Sequence, residues 1–105
     1  MDLAELTYES AKNLEGTTFQ IDLPDGTIVA MKLEEVLRYE TRQRRSVRAK
    51  APRREPFSLY FAGPPSPILA QAIYTFRGET VTFDKLFIVP VGQDDDATEY
   101  EAVIT

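Results

Sequence analysis

The sequence contains no cysteine and no histidine among its 105 residues. Disulfides, thiolate nucleophiles and Cys/His zinc sites are excluded within this chain, because each of them requires one of these two side chains. A histidine-dependent triad and imidazole acid–base catalysis are excluded on the same ground. We therefore assign no catalytic residues, no cofactor site and no metal site from the sequence, and we predict a protein that is not an enzyme.

Long hydrophobic runs are also missing. The best apolar run, at 86–89, is four residues long, whereas a membrane-spanning helix needs about 20 predominantly apolar residues. The first five residues, MDLAE, lack both the basic and the apolar parts of a signal peptide. We therefore expect no contact with a membrane and a cytoplasmic location.

Charge is distributed very unevenly along the chain. The 12 Lys and Arg residues and the 17 Asp and Glu residues give a net charge of −5. Residues 38–54 carry eight basic residues and one acidic residue, a balance of +7, so that the remainder carries −12. Almost no large apolar side chain occurs within 41–55. This stretch is therefore predicted as an exposed, Arg-rich loop of unusual length.

Apolar and polar residues alternate in about six segments, which predicts a single, mainly β domain over 1–105. Turn residues at 24–27 and 77–80 indicate hairpins between these segments. Residues 2–14 have helical spacing and predict a short N-terminal helix. The fold class is therefore an antiparallel six-stranded sandwich or a small closed barrel, with the helix covering one end. The sequence does not choose between the two.

Two of the predicted strands contain irregularities. The strand over 80–91 has apolar residues on both parities toward its end, which predicts that both of its faces are buried there. Pro90 cannot donate a ladder hydrogen bond, so that it predicts an edge or a bulge. The pair Glu34–Glu35 interrupts the strand over 28–39 and predicts another bulge. Because neighbours on a strand point to opposite faces, these two carboxylates are not expected to converge.

The basic loop is the first candidate binding site. Its side chains suit an acidic protein surface or the phosphates of a nucleic acid. It lacks the aromatic residues on which bases would stack, and the acidic remainder of the chain would repel a polyanion. A protein partner is therefore favoured, and nucleic acid or another polyanion is the alternative. The predicted partner-binding residues are Arg42, Arg44, Arg45, Arg48, Lys50, Arg53 and Arg54.

An acidic counter-patch is the second candidate site, formed by Asp94, Asp95, Asp96 and Glu99. The basic loop of one copy could meet this patch on another copy, and such head-to-tail pairing would give a homo-oligomer. Neutralisation within one chain and simple solvation are the alternatives. Three consecutive aspartates direct their carboxylates apart, unlike the alternating ligands of a calcium loop. No metal is therefore predicted here.

Several sequence blocks carry a resemblance to a known family. They are RREPFSLYFAGP at 53–64, ILAQAIY at 68–74, LFIVPVG at 86–92 and YEAVI at 100–104, together with GTTF at 16–19. With these blocks the chain resembles a family of small bacterial proteins that share a domain of unknown function. The resemblance implies an all-β fold. It also implies genes that lie beside those for phage-tail-like fibre or collar proteins, and hence an accessory or assembly role.

The chain departs from the family pattern at two places. Its basic loop is longer and richer in arginine, and its turn at 77–80 lacks the His-Pro pair that the family usually has near this position. The family offers no catalytic residues to carry over. We therefore predict a non-enzymatic binding or assembly module, with a fibre-like or acidic protein as the expected partner.

Overall fold

A computed structural model of the chain describes residues 3–38 and 56–104. The predicted basic loop at 41–55 lies outside these residues, so that its predicted role stays a prediction. The same holds for all seven predicted partner-binding residues, which are Arg42, Arg44, Arg45, Arg48, Lys50, Arg53 and Arg54.

Six antiparallel strands form a closed barrel, and this resolves the choice between sandwich and barrel that the sequence left open. Around the barrel the strands follow the order β1-β2-β3-β6-β5-β4, and β4 pairs with β1 to close it. The strands are β1 (Thr18–Asp22), β2 (Ile28–Arg38), β3 (Phe57–Gly63), β4 (Ala72–Arg77), β5 (Thr82–Gln93) and β6 (Thr98–Ile104).

The closing seam between β1 and β4 combines a backbone pair with an ion pair. Gln20 and Arg77 are partners across the two strands. The Arg77 guanidinium also donates to both carboxylate oxygens of Asp22, at 2.7 and 2.8 Å. This two-pronged geometry is the strongest arrangement for an arginine and a carboxylate. It lowers the pKa of Asp22, mainly through the hydrogen bond from Arg77.

The barrel interior is filled by side chains from the inward face of every strand. Phe19 lies at the centre of an aromatic cluster, with its ring centroid 6.0 Å from that of Phe61, 6.3 Å from Phe76 and 5.1 Å from Phe83. All four rings are fully buried. The packed core fills the inner face of the barrel with side chains, as is usual for a small barrel.

The N-terminal segment is less helical than its sequence pattern predicts. Instead of one helix over 2–14, the structure has a 3-10 turn at Leu3–Glu5 and a one-turn helix, α1, at Tyr8–Lys12. Thr7 caps α1 with an extended backbone, and its hydroxyl accepts a hydrogen bond from the Ser10 backbone N–H at 3.1 Å. Because an N-cap residue is itself non-helical, it divides the segment in two. Within the described residues, no helix has the length and apolar character to span a bilayer.

Both predicted bulges are confirmed, and the one in β2 corrects the prediction for its two acidic residues. The register between β2 and β3 shifts at Leu33–Glu35, and the register between β5 and β6 shifts at Pro90–Gly92. At the first of these shifts Glu34 and Glu35 are both exposed. The prediction that they point to opposite faces was therefore wrong, because a bulge interrupts the alternation of the strand.

Glu15 connects the end of the helical segment to β2. Its carboxylate accepts a hydrogen bond from the Val36 backbone N–H at 2.8 Å and from the Lys12 ammonium at 3.1 Å. These two contacts, with the Val36 N–H as the larger, lower the pKa of Glu15 below its ordinary value of 4.5. The hydrogen bond to Glu15 in turn raises the pKa of Lys12.

The substitution Glu15→Gln is expected to make stability less sensitive to acid. In the wild-type protein the pKa of Glu15 is lower in the folded state than in the unfolded state. The ionised Glu15 therefore contributes fully to the free energy of unfolding above its pKa in the unfolded state. This contribution is lost as the pH falls through its pKa in the folded state. Urea unfolding of the wild-type protein and of Glu15→Gln, between about pH 6 and about pH 3, measures how steeply the free energy of unfolding falls with pH. This slope is expected to be smaller for Glu15→Gln. An equal change of slope in the control Glu79→Gln, at the turn after β4, would contradict the assignment.

Candidate functional site

The acidic counter-patch lies in the turn between β5 and β6 and at the start of β6. The Asp94 carboxylate accepts hydrogen bonds from the backbone N–H groups of Asp96 at 2.8 Å and Ala97 at 2.9 Å. Asp94 therefore stabilises the turn, a role that the sequence interpretation did not assign to it. Asp95, Asp96 and Glu99 are exposed to solvent.

The described part of the chain is strongly acidic. Residues 3–38 and 56–104 contain fourteen acidic and five basic residues, a balance of −9. Glu34, Glu35 and Glu99 border one shallow surface depression, together with Lys32. In these two stretches of chain, no group of three acidic side chains is arranged to hold a metal ion. Such a surface would repel a polyanion.

The outer face of the barrel carries an apolar row that the sequence interpretation missed. Ile73 pairs with Phe87 across β4 and β5, and Ser58 on β3 pairs with Leu37 on β2 and with Val103 on β6. The exposed fractions are 60% for Ile73, 48% for Phe87, 47% for Val103 and 44% for Leu37. We refer to these four exposed side chains as the apolar row.

The two halves of the apolar row lie on neighbouring strands, β5 and β6. Val89 on β5 is the partner of Glu101 on β6. Phe87 lies two residues before Val89, and Val103 lies two residues after Glu101. Phe87 and Val103 therefore lie on the outer face just beyond this pair, which is the last partner pair of β5 and β6 at this end. The row therefore runs across the barrel from β4 to β2, at right angles to the strands.

The hydroxyl of Ser58, which lies between Leu37 and Val103, is hydrogen-bonded. Ser58 is only 2% exposed, although it lies on the outer face of β3. Its hydroxyl donates to the Glu101 carboxylate at 2.7 Å, and the Tyr60 hydroxyl donates to the same oxygen at 3.0 Å. Because these groups satisfy one another, a molecule that covers the row leaves no polar group of Ser58 without a partner.

Comparison with known proteins gives one result. A model of the family described as "Domain of unknown function (DUF6916)" matches residues 6–104. No curated protein and no solved structure matches the chain. The interpretation of the surface therefore depends on its own geometry and charge.

Proposed function

The chain belongs to the DUF6916 family of unknown function, as its sequence blocks indicated, and we propose that it is a non-enzymatic binding or assembly module. The observation that supports this proposal is the apolar row. Four large hydrophobic side chains on β4, β5, β6 and β2 are about half exposed, outside a barrel whose inner face is already filled. Clustered apolar surface gains free energy when a partner removes it from water.

The identity of the partner is a further part of the proposal. The family resemblance suggests a phage-tail-like fibre or collar protein, and the basic residues within 42–54 suit an acidic protein surface. Co-expression with the product of the adjacent gene tests the first suggestion. Two proteins that migrate as separate species in this experiment would contradict a fibre or collar partner.

Nucleic-acid binding through residues 42–54 is the alternative function. The acidic balance of the described part of the chain counts against it, because phosphates would approach one basic stretch beside a body of net charge −9. Binding of this kind would weaken linearly with the logarithm of salt concentration. A protein that retains neither DNA nor RNA at low salt would exclude this alternative.

Site-specific photocrosslinking tests the binding function directly. A photoreactive phenylalanine analogue at position 87, in the cells that naturally produce the protein, is expected to give a discrete adduct. The control position is Ile28, which is 58% exposed and lies outside the apolar row. An analogue at 28 is expected to give no such adduct. If position 87 gives no adduct either, a binding role for the row is wrong.

A further inference from the structure

We infer, building on the proposed binding function, that the outer face of β2, β3 and β6 is a docking site for a segment of a partner protein that carries an arginine beside apolar side chains. The guanidinium of this arginine pairs with the carboxylates of Glu35 and Glu101. The apolar neighbours of the arginine cover Leu37 and Val103. We refer to these four residues of the barrel as the arginine site.

The arginine site consists of two neighbouring rows that cross the same three strands. In the first row Tyr60 on β3 is the partner of Glu35 on β2 and of Glu101 on β6. In the second row Ser58 is, in the same way, the partner of the two apolar residues of the site. Neighbouring strands lie about 4.8 Å apart, so that the two acidic residues are about 10 Å apart at the backbone. One guanidinium above β3 is therefore within reach of both carboxylates.

The carboxylate of Glu101 is held in place for such a contact. One of its oxygens, Oε2, accepts hydrogen bonds from the hydroxyl of Ser58 at 2.7 Å and from that of Tyr60 at 3.0 Å. The other oxygen, Oε1, accepts no hydrogen bond within the described residues. Because two hydroxyls already fix this carboxylate, little conformational freedom is lost when a cation binds to it.

In the part of the chain that the structure describes, neither carboxylate of the site is paired with a cation. Three of the five basic residues in this part form ion pairs elsewhere, which are Lys12 with Glu15, Arg38 with Glu9 and Arg77 with Asp22. The other two, Lys32 and Lys85, are not within ion-pair distance of either carboxylate. A cation from a partner would therefore not have to displace an ion pair of the barrel.

Charge complementarity and the apolar neighbours select the occupant. Glu35 and Glu101 lie on a described surface of net charge −9, which repels phosphates, anionic lipid headgroups and acidic proteins. An arginine fits better than a lysine, because its planar fork of N–H donors can bridge two carboxylates. Leu37 and Val103 are 44% and 47% exposed and are stabilised by apolar groups beside this arginine. A protein segment supplies both parts, whereas a free guanidinium compound supplies only the charge.

Photocrosslinking from within the site identifies the docked segment. A photoreactive phenylalanine analogue at position 103, in the cells that naturally produce the protein, is expected to give an adduct with a partner protein. Mass spectrometry of the adduct locates the residue of the partner that is joined to position 103. An arginine is expected within about four residues of it, because the acidic row lies only about 7 Å from the apolar one.

Calorimetric titration with the identified partner then tests the charges. Glu101→Gln is expected to weaken binding at least about ten-fold, because the carboxylate that pairs with the guanidinium is lost. The matched control Glu99→Gln, two residues away on the same face of β6, is expected to change the affinity less than about three-fold. If Glu101→Gln does not fold, Glu35→Gln replaces it, because the Glu35 side chain is exposed. Glu35→Arg is expected to restore part of the binding of a partner in which glutamate replaces the arginine.

The results separate the arginine site from the broader binding function. A joined segment without a nearby arginine overturns the site, and so does a position 103 that links only to its own chain. Equal affinities of the wild-type protein and Glu101→Gln, or equal losses in Glu101→Gln and Glu99→Gln, overturn it as well. If position 87 gives an adduct and position 103 gives none, the binding function stands without the arginine site. If neither position gives an adduct, both proposals are wrong.

Discussion

The substitution Phe19→Ala is expected to lower the free energy of unfolding by about 3–5 kcal/mol. The Phe19 ring is fully buried and touches three other aromatic rings, of which that of Phe83 is stacked on it. Its removal loses both this burial and the ring contacts, and it leaves a cavity. The neighbouring rings cannot close the cavity fully, because the closed sheet fixes the backbones that carry them. The total free energy of unfolding of a small domain is about 5–15 kcal/mol. A loss of this size therefore brings the variant close to unfolding.

Urea unfolding followed by circular dichroism measures this effect. The variant Phe19→Leu keeps most of the buried apolar volume and is expected to lose less stability. The matched control is Phe87→Ala, which truncates the same type of side chain on the outer face. Equal losses at positions 19 and 87 would contradict the assignment of these residues to opposite faces.

Most of the strands could be predicted because the alternation of apolar and polar residues is regular in them. In β6, Tyr100, Ala102 and Ile104 alternate with Glu101 and Val103 in the sequence, and all three are buried. In β4 the alternation correctly separates Phe76, which is buried, from Ile73, which is exposed. In these strands the two-residue alternation predicts which side chains are buried, because each strand has one face in the core.

The long strand β5 shows where this reasoning fails. Its run of apolar residues at 86–89 has no period, so that both faces were predicted to be buried. In fact Phe87 is 48% exposed, while Leu86 and Ile88 are buried. A register shift against β4 lies just before this run, between the partners of Tyr74 and Phe76. It lets Phe83 and Leu86 point inward although they differ in parity, and no local sequence signal marks it.

The apolar row could not be predicted for a different reason. Its members come from four strands, and only the pairing register of the closed barrel brings Leu37 and Ile73 onto one line. The burial of Ser58 also depends on its neighbours. Leu37 and Val103 flank it, and the Glu101 carboxylate accepts a hydrogen bond from its hydroxyl. Charge is visible in the linear sequence, whereas a surface that crosses strands appears only after the strands are paired.

The substitution Gly78→Ala is expected to lower the free energy of unfolding by about 1–3 kcal/mol, the usual range for an overpacked site. A Cβ atom at this position would lie 2.5 Å from the Val81 carbonyl oxygen and 2.7 Å from the Phe19 ring. The first of these contacts is with backbone, so that it is not relieved by rotation of a side chain. The same oxygen accepts a hydrogen bond from the Gly78 N–H at 2.9 Å. Any shift that makes room for the methyl group therefore weakens the turn between β4 and β5.

The control Gly92→Ala and a double variant separate this clash from a general effect of alanine. At Gly92 the nearest atom to an added Cβ is a Glu99 carboxylate oxygen at 3.9 Å. The free energy of unfolding of Gly92→Ala is therefore expected to stay within about 0.5 kcal/mol of the wild-type value. In the double variant Gly78→Ala/Phe19→Ala the ring that crowds position 78 is absent. Its loss of stability is therefore expected to be smaller than the sum of the two single losses, and strict additivity would contradict contact between the two residues. Because the Val81 oxygen stays in place, part of the cost at position 78 should remain even without the ring.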